Sequence, residues 1–305
     1  NRYRQDMRAR FQRPLRTPVH YYLPQPFIGA PPPPSELSVN PLELAMPGEG
    51  ATRALLSHYA PILVISDDSD ANRPGVIRIG EAAEVDTSDV NAYTWLSWTR
   101  YLGHNLLQIN YQFWFPERPP EGKRDMYAGK FDGLIWRVTL KPDGNVLFYD
   151  TIHACGCYHK VFPVARGLRE SDQLLDGPVF YNRLAPNANQ QRIALHLEPD
   201  THYVVAIERE SALRAEVPTT DYGYLHADEL RAITAESGAV LSLFDERGLV
   251  PGSQRSERWL LWPFGVPSAG AMRQPGTHAI SFADKRHFDD PMLLEMIFAP
   301  PRDRR

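Results

Sequence analysis

Proline is the feature that most constrains this chain. The 305 residues include 28 prolines and 20 glycines, which punctuate short runs of aromatic and β-branched residues. Proline is excluded from helix interiors, and frequent turn residues favour short strands joined by turns. The sequence therefore predicts a mainly β protein, with a single β-sandwich-like domain, a few short helices and long ordered loops.

Local patterns predict where the main elements lie. Residues 51–60 indicate a short helix, because apolar residues there are followed by a proline. Over residues 107–115, apolar side chains alternate with mostly polar ones, which is typical of a half-buried strand. The clearest pattern is a hairpin over residues 133–153, with the turn Pro-Asp-Gly between two runs of β-forming residues. Residues 225–238 predict a helix that ends at a glycine.

The first fifty residues differ in composition from the rest. Six arginines and no lysine occur in the first 16 residues, and four consecutive prolines occupy positions 31–34. Such a proline run adopts extended polyproline II. We therefore expect an extended Pro-rich N-terminal arm over 1–50, acting as a linker or packing along the body or a partner, and a β-rich domain over 51–305. A protein partner would bind through this arm, or a homo-oligomer would form through it.

Charge and hydropathy limit the partners and the compartment. The net charge of −4 gives no general attraction to nucleic acid or to an anionic membrane. No apolar run approaches the roughly 20 residues that span a bilayer. We therefore expect no nucleic-acid partner and no transmembrane segment in these residues. Because the chain opens without Met, we expect that a leader or anchor has been removed, which favours a periplasmic or extracellular location.

One short stretch holds both cysteines of the chain and two of its ten histidines. The order is His153-x-Cys155-x-Cys157-x-His159, so an extended segment would turn all four side chains to one face. Imidazole and thiolate are ligands for zinc, copper and iron. Gly156 offers the positive φ angle that would fold the segment into a tight turn and gather these ligands. The sequence therefore predicts a transition-metal site, with zinc ahead of copper or iron as the cofactor.

Other interpretations of this stretch stay open. A cysteine activated by a neighbouring histidine would give a redox or nucleophilic thiol, whereas two small buried cysteines beside incidental histidines would carry no chemistry. A catalytic metal keeps one coordination position open, and His278 and His287 are the distant candidates to complete its ligands. Asp132 and Tyr127, near the start of the predicted hairpin, are the candidates for proton transfer.

Two classes of function follow from these residues. The first is a metal-binding protein, and in particular a metal-dependent enzyme of hydrolytic or oxidative type. The second is a non-enzymatic binding or structural subunit that docks onto a larger assembly through its Pro-rich arm and its aromatic C-terminal loops. In those loops, Arg255 and Arg258 lie near Trp259 and Trp262, either to stack on or clamp a ligand or as surface arginines beside core tryptophans.

The order of four segments resembles that of two known families. HYAPILVI is followed by INYQFWFPERP, AGKFDGLIWRVTL and NVLFYDTIHACG, within residues 58–156. This order is similar to that of Vps62-like proteins and of the necrosis-inducing, NLP-type cytolysins. The resemblance implies a β-sandwich, and the cytolysins hold a divalent cation near a motif of which only Asp132 carries over here. The HACGCYH segment and the aromatic C-terminal run also resemble a bacterial family to which we assign no activity.

Overall fold

A computed structural model describes residues 2–11, 19–27, 29–172, 174, 177–184, 192–266, 268–281 and 286–299. Its helices are α1 Arg2–Arg10, α2 Glu49–Tyr59, α3 Arg258–Leu261 and α4 Leu293–Ile297. Its strands are β1 Val19–Pro24, β2 Ile62–Ser66, β3 Val76–Ile79, β4 Ala83–Asp86, β5 Asn91–Tyr101, β6 His104–Arg118, β7 Gly129–Leu140, β8 Val146–His153, β9 Lys160–Pro163, β10 Val179–Phe180, β11 Ile193–Leu197, β12 Val204–Arg209, β13 Thr219–His226, β14 Ile233–Thr234 and β15 Val240–Leu241. The predicted fold class, mainly β with short helices, is confirmed.

One large curled sheet organises the molecule. Its eleven strands follow the order β10-β9-β8-β7-β6-β5-β13-β1-β2-β11-β12, and two small sheets pair β3 with β4 and β14 with β15. Strands β5 to β9 form an antiparallel meander, because short turns join each strand to the next. Strand β1 enters the middle of the sheet, parallel to β13 and antiparallel to β2.

The main hydrophobic core lies between the two halves of the curled sheet. Strand β6 contributes alternate residues from Leu107 to Phe115, and the other half contributes Leu63, Leu195 and Val204. The alternation read from the sequence is therefore confirmed. The opposite face of β6 is also buried. The amide of Gln108 there donates to a threonine on β7 at 3.0 Å, whereas the side-chain amide of Gln112 has no hydrogen-bond partner among the described residues.

The N-terminal residues are built into this sheet. Besides β1, which pairs with strands on both sides, α1 packs Met7 against residues of β10 and β12. Arg10 forms an ion pair of 2.7 Å with Glu198. The backbone is extended at Pro33 in the proline run. An extended Pro-rich arm over 1–50 is therefore not supported, since the strand pairing of β1 needs the rest of the sheet.

The local predictions differ in their outcome. The helix expected over 51–60 forms as α2, and the hairpin expected over 133–153 forms as β7 and β8. The helix expected over 225–238 is wrong. Only a 3-10 helix at Ala227–Arg231 forms there, since Ile233–Thr234 then pairs with Val240–Leu241 around a turn. Among the residues that the structure describes, no helix has the length and apolarity to span a bilayer.

Candidate functional site

The turn between β8 and β9 carries the four predicted metal ligands. The N–H of Gly156 donates to the carbonyl of His153 at 2.8 Å, and Gly156 has a φ of +92°. The predicted glycine turn therefore forms. A Cβ atom at this position would collide with the carbonyl oxygen of Ala279, so space as well as backbone angle requires glycine here.

His153 contacts Asp132 on the core side of the sheet. Its Nδ1 lies 3.3 Å from Oδ1 of Asp132, which also accepts the N–H of Gly133 at 2.9 Å. Cross-strand register pairs Asp132 with Phe115 and His153 with Leu134, and both of these partners belong to the main core. Nε2 of His153 is buried and has no hydrogen-bond partner among the described residues.

His202 joins this pair from the other half of the sheet. Its Nδ1 lies 2.8 Å from Oδ2 of Asp132, and its Nε2 lies 3.1 Å from the carbonyl oxygen of Ala71. Carbonyl and carboxylate oxygens only accept hydrogen bonds, so both ring nitrogens of His202 face acceptor oxygens. The ring stacks on Phe115 with 3.9 Å between ring centres.

Hydrogen bonding sets the charge of Asp132. Burial alone would raise its pKa, but the interactions with His153 and His202 outweigh burial and hold the pKa well below its usual range. Burial lowers the pKa of His153 by more than Asp132 raises it. His153 is therefore a neutral imidazole that donates its Nδ1 hydrogen to an ionised Asp132. We call Asp132, His153 and His202 the Asp132 network.

His159 contacts a different carboxylate on the opposite face. Its Nε2 lies 3.0 Å from Oδ2 of Asp150. The guanidinium of Arg137 donates to the same carboxylate, at 2.6 Å to Oδ2 and 2.9 Å to Oδ1. Arg137 also donates to the carbonyl of Phe288 at 2.6 Å. Arg137 and Asp150 form a cross-strand pair next to Trp136, whose side chain lies in the main core. Since successive residues of a strand point to opposite faces, Arg137 and Asp150 point away from that core.

The four predicted ligands therefore do not converge. The described residues contain no group of three or more His, Cys, Asp or Glu side chains that could hold a metal ion. The segment is not extended, because Gly156 and Tyr158 both take positive φ angles and interrupt the strand alternation between His153 and His159. The glycine turn therefore forms without gathering the four side chains around one point. A metal-binding function is not supported by this arrangement.

The two cysteines are free neighbours in the same turn. The N–H of Cys157 lies 3.4 Å from Sγ of Cys155. Cys155 is buried in an apolar cluster that includes Trp114 and Phe131. A hydrogen bond with the Cys155 thiol, together with burial, raises the pKa of Cys157 well above its usual value. Cys157 is therefore a protonated thiol at neutral pH and a weak nucleophile.

The remaining predicted residues lie in separate surroundings. Tyr127 is at the surface, 39% exposed, with the guanidinium of Arg118 at 5.4 Å from its ring centre. Burial of part of the ring raises its pKa, so the hydroxyl stays protonated at neutral pH. His278 is buried at 3.3 Å from Asp289, and His287 is exposed. Neither histidine is hydrogen-bonded to a predicted metal ligand in the part of the chain that the structure describes.

A second candidate site lies on the surface around α3. Trp259, Leu260 and Trp262 are 64, 56 and 63% exposed. The four other tryptophans of the chain are buried or half-buried. We call these three residues, with Tyr127 on the neighbouring loop, the aromatic face. The sequence left open whether these tryptophans stack on a ligand or lie in the core. The structure excludes the core, because both Trp259 and Trp262 are exposed.

A buried arginine holds the aromatic face in place. The guanidinium of Arg255 donates to the carbonyl oxygens of Lys130, at 2.9 Å, and of Phe131. The N–H of Glu257 donates to the carbonyl of Met126 at 3.2 Å, next to Tyr127. These bonds tie the residues before α3 to the start of β7. The exposed tryptophans therefore stand on an anchored base.

Sequence reasoning found part of each site and missed the rest. Asp132 and His153 were both singled out, and they do contact each other. His202 was missed because it lies 70 residues from Asp132 in the chain. The one signal in the sequence for His202 was its position in the turn between two predicted strands, where a side chain can reach the end of the sheet. The sequence offered two interpretations of Arg255, a ligand clamp or a surface arginine, whereas the structure places it as a buried anchor.

Comparisons with known proteins gave a distant likeness of structure. No protein-family model and no curated protein matches the chain. A solved structure described as "Toxin fold for microbial attack and plant defense" is similar at 15% identity and a TM-score of 0.32, covering 63% of this chain and 82% of the other. A second, of NLPPya in complex with mannosamine, has 16% identity and a TM-score of 0.31, covering 62% and 80%. NLP-type toxin-fold proteins are thus distant structural neighbours, as the resemblance in the sequence indicates.

Proposed function

We propose that this protein is a non-enzymatic binding subunit that docks onto another protein through the aromatic face. The observation that carries the proposal is the exposure of Trp259, Leu260 and Trp262 together on one short segment. Contiguous exposed apolar residues mark interaction sites on soluble proteins. Tryptophan and arginine are also the residues that most often dominate the binding energy of protein interfaces.

The geometry favours a strong contribution from few residues. A tryptophan side chain has only two rotatable bonds, so ordering it costs little entropy. Arg258 lies 4.5 Å from the ring centre of Trp259, which further limits the freedom of that ring. Covering the exposed part of each indole would contribute about 2–4 kcal/mol. Two such anchors are enough for a specific, reversible complex.

The Asp132 network fits a supporting role in the same molecule. Its three side chains connect β7, the end of β8 and the turn between β11 and β12. They lie in the interior, where their hydrogen bonds fix the two halves of the curled sheet to each other. This role needs neither substrate nor metal, and it provides the rigid scaffold on which α3 is anchored.

Site-specific photo-cross-linking tests the proposal. A photoreactive amino acid replaces Leu260 in the protein expressed in its native cells, and the matched control replaces Leu42, which is 71% exposed. We expect a discrete cross-linked protein at Leu260, identified by mass spectrometry, that is absent at Leu42. The double variant Trp259→Ala, Trp262→Ala should abolish it. The proposal is contradicted by equal cross-links at both positions, by none, or by products that the double variant leaves unchanged.

The metal-dependent alternative stays a prediction. A zinc, copper or iron cofactor would require the turn between β8 and β9 to rearrange, because His153 and His159 reach different aspartates. Elemental analysis of the untagged, reduced protein tests it. One metal ion per chain, lost in both His153→Gln and His159→Gln, would establish a shared site and contradict the arrangement described above.

A further inference from the structure

Strand β5 changes its neighbour partway along its length. From Asn91 to Thr94 it pairs with β13, which ends at His226. From Trp95 to Tyr101 it continues to pair with β6 on its other side. On the side that β13 leaves, no further strand accompanies β5 in the described ranges of the chain. The sheet is therefore interrupted along this part of β5.

The interruption leaves main-chain groups open. The N–H of Arg100 donates to the carbonyl of Pro291 at 2.7 Å, which shows that it points away from β6. In an antiparallel ladder every second residue directs its N–H and C=O to the same side. The main-chain N–H and C=O of Leu96 and Trp98 therefore also point away from β6. On that side, the N–H and C=O groups of Leu96 and Trp98 have no hydrogen bond within the part of the chain that the structure describes. Between β13 and Pro291, β5 thus has an open edge two outward-facing residues long.

A cleft lies over this open edge. It has a volume of about 420 Å³, and its lining includes Trp95, Leu96 and Trp98 of β5, Leu56 of α2, and Ala227 and Arg231 of the 3-10 helix after β13. The rest of the lining is Thr52, Thr94, His226, Asp228 and Pro275, so apolar and polar side chains share the cleft. Arg231 is about half exposed and forms an ion pair of 3.4 Å with Asp228, which is 70% exposed. The cleft therefore combines apolar side chains of β5 and α2, an ion-paired arginine, and main-chain groups that have no partner in the described part of the chain.

We propose that this open edge binds a short extended peptide, which adds a strand beside Leu96 and Trp98 and places an apolar side chain in the cleft. Another extended main chain supplies N–H and C=O groups at the spacing that the open edge presents, which is the basis of recognition by strand addition. The gap between β13 and Pro291 fits about four residues at strand spacing. A carboxylate on the peptide would pair with Arg231 in place of the solvent-exposed Asp228.

Phage-displayed random linear heptapeptides are the probe for this site. The bait is the Trp259→Ala, Trp262→Ala variant, so that the aromatic face does not capture the peptides. We expect selected peptides that combine an apolar residue with an acidic one and that slow hydrogen exchange at the Leu96 and Trp98 amides at least tenfold. Leu96→Pro should weaken their binding at least tenfold, because it removes an edge donor without breaking the pairing with β6. Leu96→Ala, which keeps the N–H, is the matched control and should weaken binding less.

Three results would overturn the proposal: no peptide is selected, the selected peptides leave the Leu96 and Trp98 amides unprotected, or Leu96→Pro, shown to be folded by circular dichroism, binds them as well as Leu96→Ala does. If Leu96→Pro does not fold, the exchange measurement on the bait decides. Since the bait lacks the aromatic face, failure here leaves the docking proposal untouched.

Discussion

The turn between β8 and β9 and the aromatic face use their unusual side chains in opposite ways. In the turn, His153 and His159 are buried and hydrogen-bonded to aspartates within the same chain. On the aromatic face, Trp259 and Trp262 are anchored from beneath but expose most of their surface. The polar side chains of the first region are paired inside the protein, and the apolar side chains of the second are exposed to solvent.

This difference shows that residue type alone does not locate a functional site. A buried histidine must find a hydrogen-bond partner, and it finds one wherever a carboxylate lies on the same face of the sheet. An exposed tryptophan has no such requirement, and its exposure costs solvation free energy unless a partner covers it. Substitutions in the Asp132 network and at the Arg137–Asp150 pair should therefore change stability, whereas substitutions on the aromatic face should change binding.

The largest expected effect is at Asp150. Asp150→Ala should lower the free energy of unfolding by about 3–5 kcal/mol, because Arg137 becomes a buried charge without its counter-ion. Urea unfolding measures this change. The control Arg137→Met, Asp150→Leu removes both charges and should recover most of the loss. A loss of less than about 1 kcal/mol for Asp150→Ala would contradict this account.

The effect at Asp132 should be smaller. Asp132→Asn should lower the free energy of unfolding by about 2–3 kcal/mol, since the amide oxygen still accepts one hydrogen bond but the second acceptor oxygen facing the two histidines is lost. The same urea series measures it. A loss of less than about 1 kcal/mol would contradict the role of Asp132 in joining the two halves of the sheet.

Acid should weaken the Asp132 network in two stages. His153 and Asp132 both have lowered pKa values in the folded state, so the unfolded chain binds more protons than the folded one. Stability from His153 is present above pH about 6.5 and is lost as pH falls below it, and that from Asp132 is lost below about pH 4. The slope in the first stage should reach about 1 kcal/mol per pH unit. Burial also lowers the pKa values of His20, His58 and His159, so these residues add to the slope in the same range. His153→Gln should reduce the slope by the share of one histidine, and an unchanged slope would remove His153 from the explanation.

The smallest change in stability should come from the aromatic face. Trp259→Ala, Trp262→Ala should alter the free energy of unfolding by less than about 1 kcal/mol, because the removed side chains lie mostly in solvent. Arg255→Met supplies the contrast, since it removes the buried anchor and leaves the carbonyls of Lys130 and Phe131 unpaired. A double variant as unstable as Arg255→Met would mean that the tryptophans hold the fold together.

Local patterns explain which parts of the fold could be predicted. The alternation in β6, the β7–β8 hairpin and the glycine turn at Gly156 depend on residues close in sequence, and all three form. The pairing of β1 with β13 joins residues about 200 positions apart, so no local signal indicates it. Residues 225–238 fail as a helix because pairing of Ile233–Thr234 in a small sheet replaces helical hydrogen bonds.

The candidate site follows the same rule. The sequence identified His153, His159 and Asp132 as residues able to carry chemistry, but their partners are set by the sheet. Whether a histidine meets a metal, a carboxylate or solvent depends on the face to which its strand turns it. That face changes between His153 and His159 within six residues, because two backbone angles become positive.

The most direct test of the account is the affinity of the cross-linked partner for the purified protein and for the variant Trp259→Ala, Trp262→Ala, measured by titration calorimetry. The account predicts that the dissociation constant rises at least about 30-fold in the variant, which corresponds to a loss of about 2 kcal/mol, the lower limit expected for one anchor alone. The thermal unfolding of the two proteins should be the same. A dissociation constant within threefold of the original would contradict the claim that the aromatic face is the docking site.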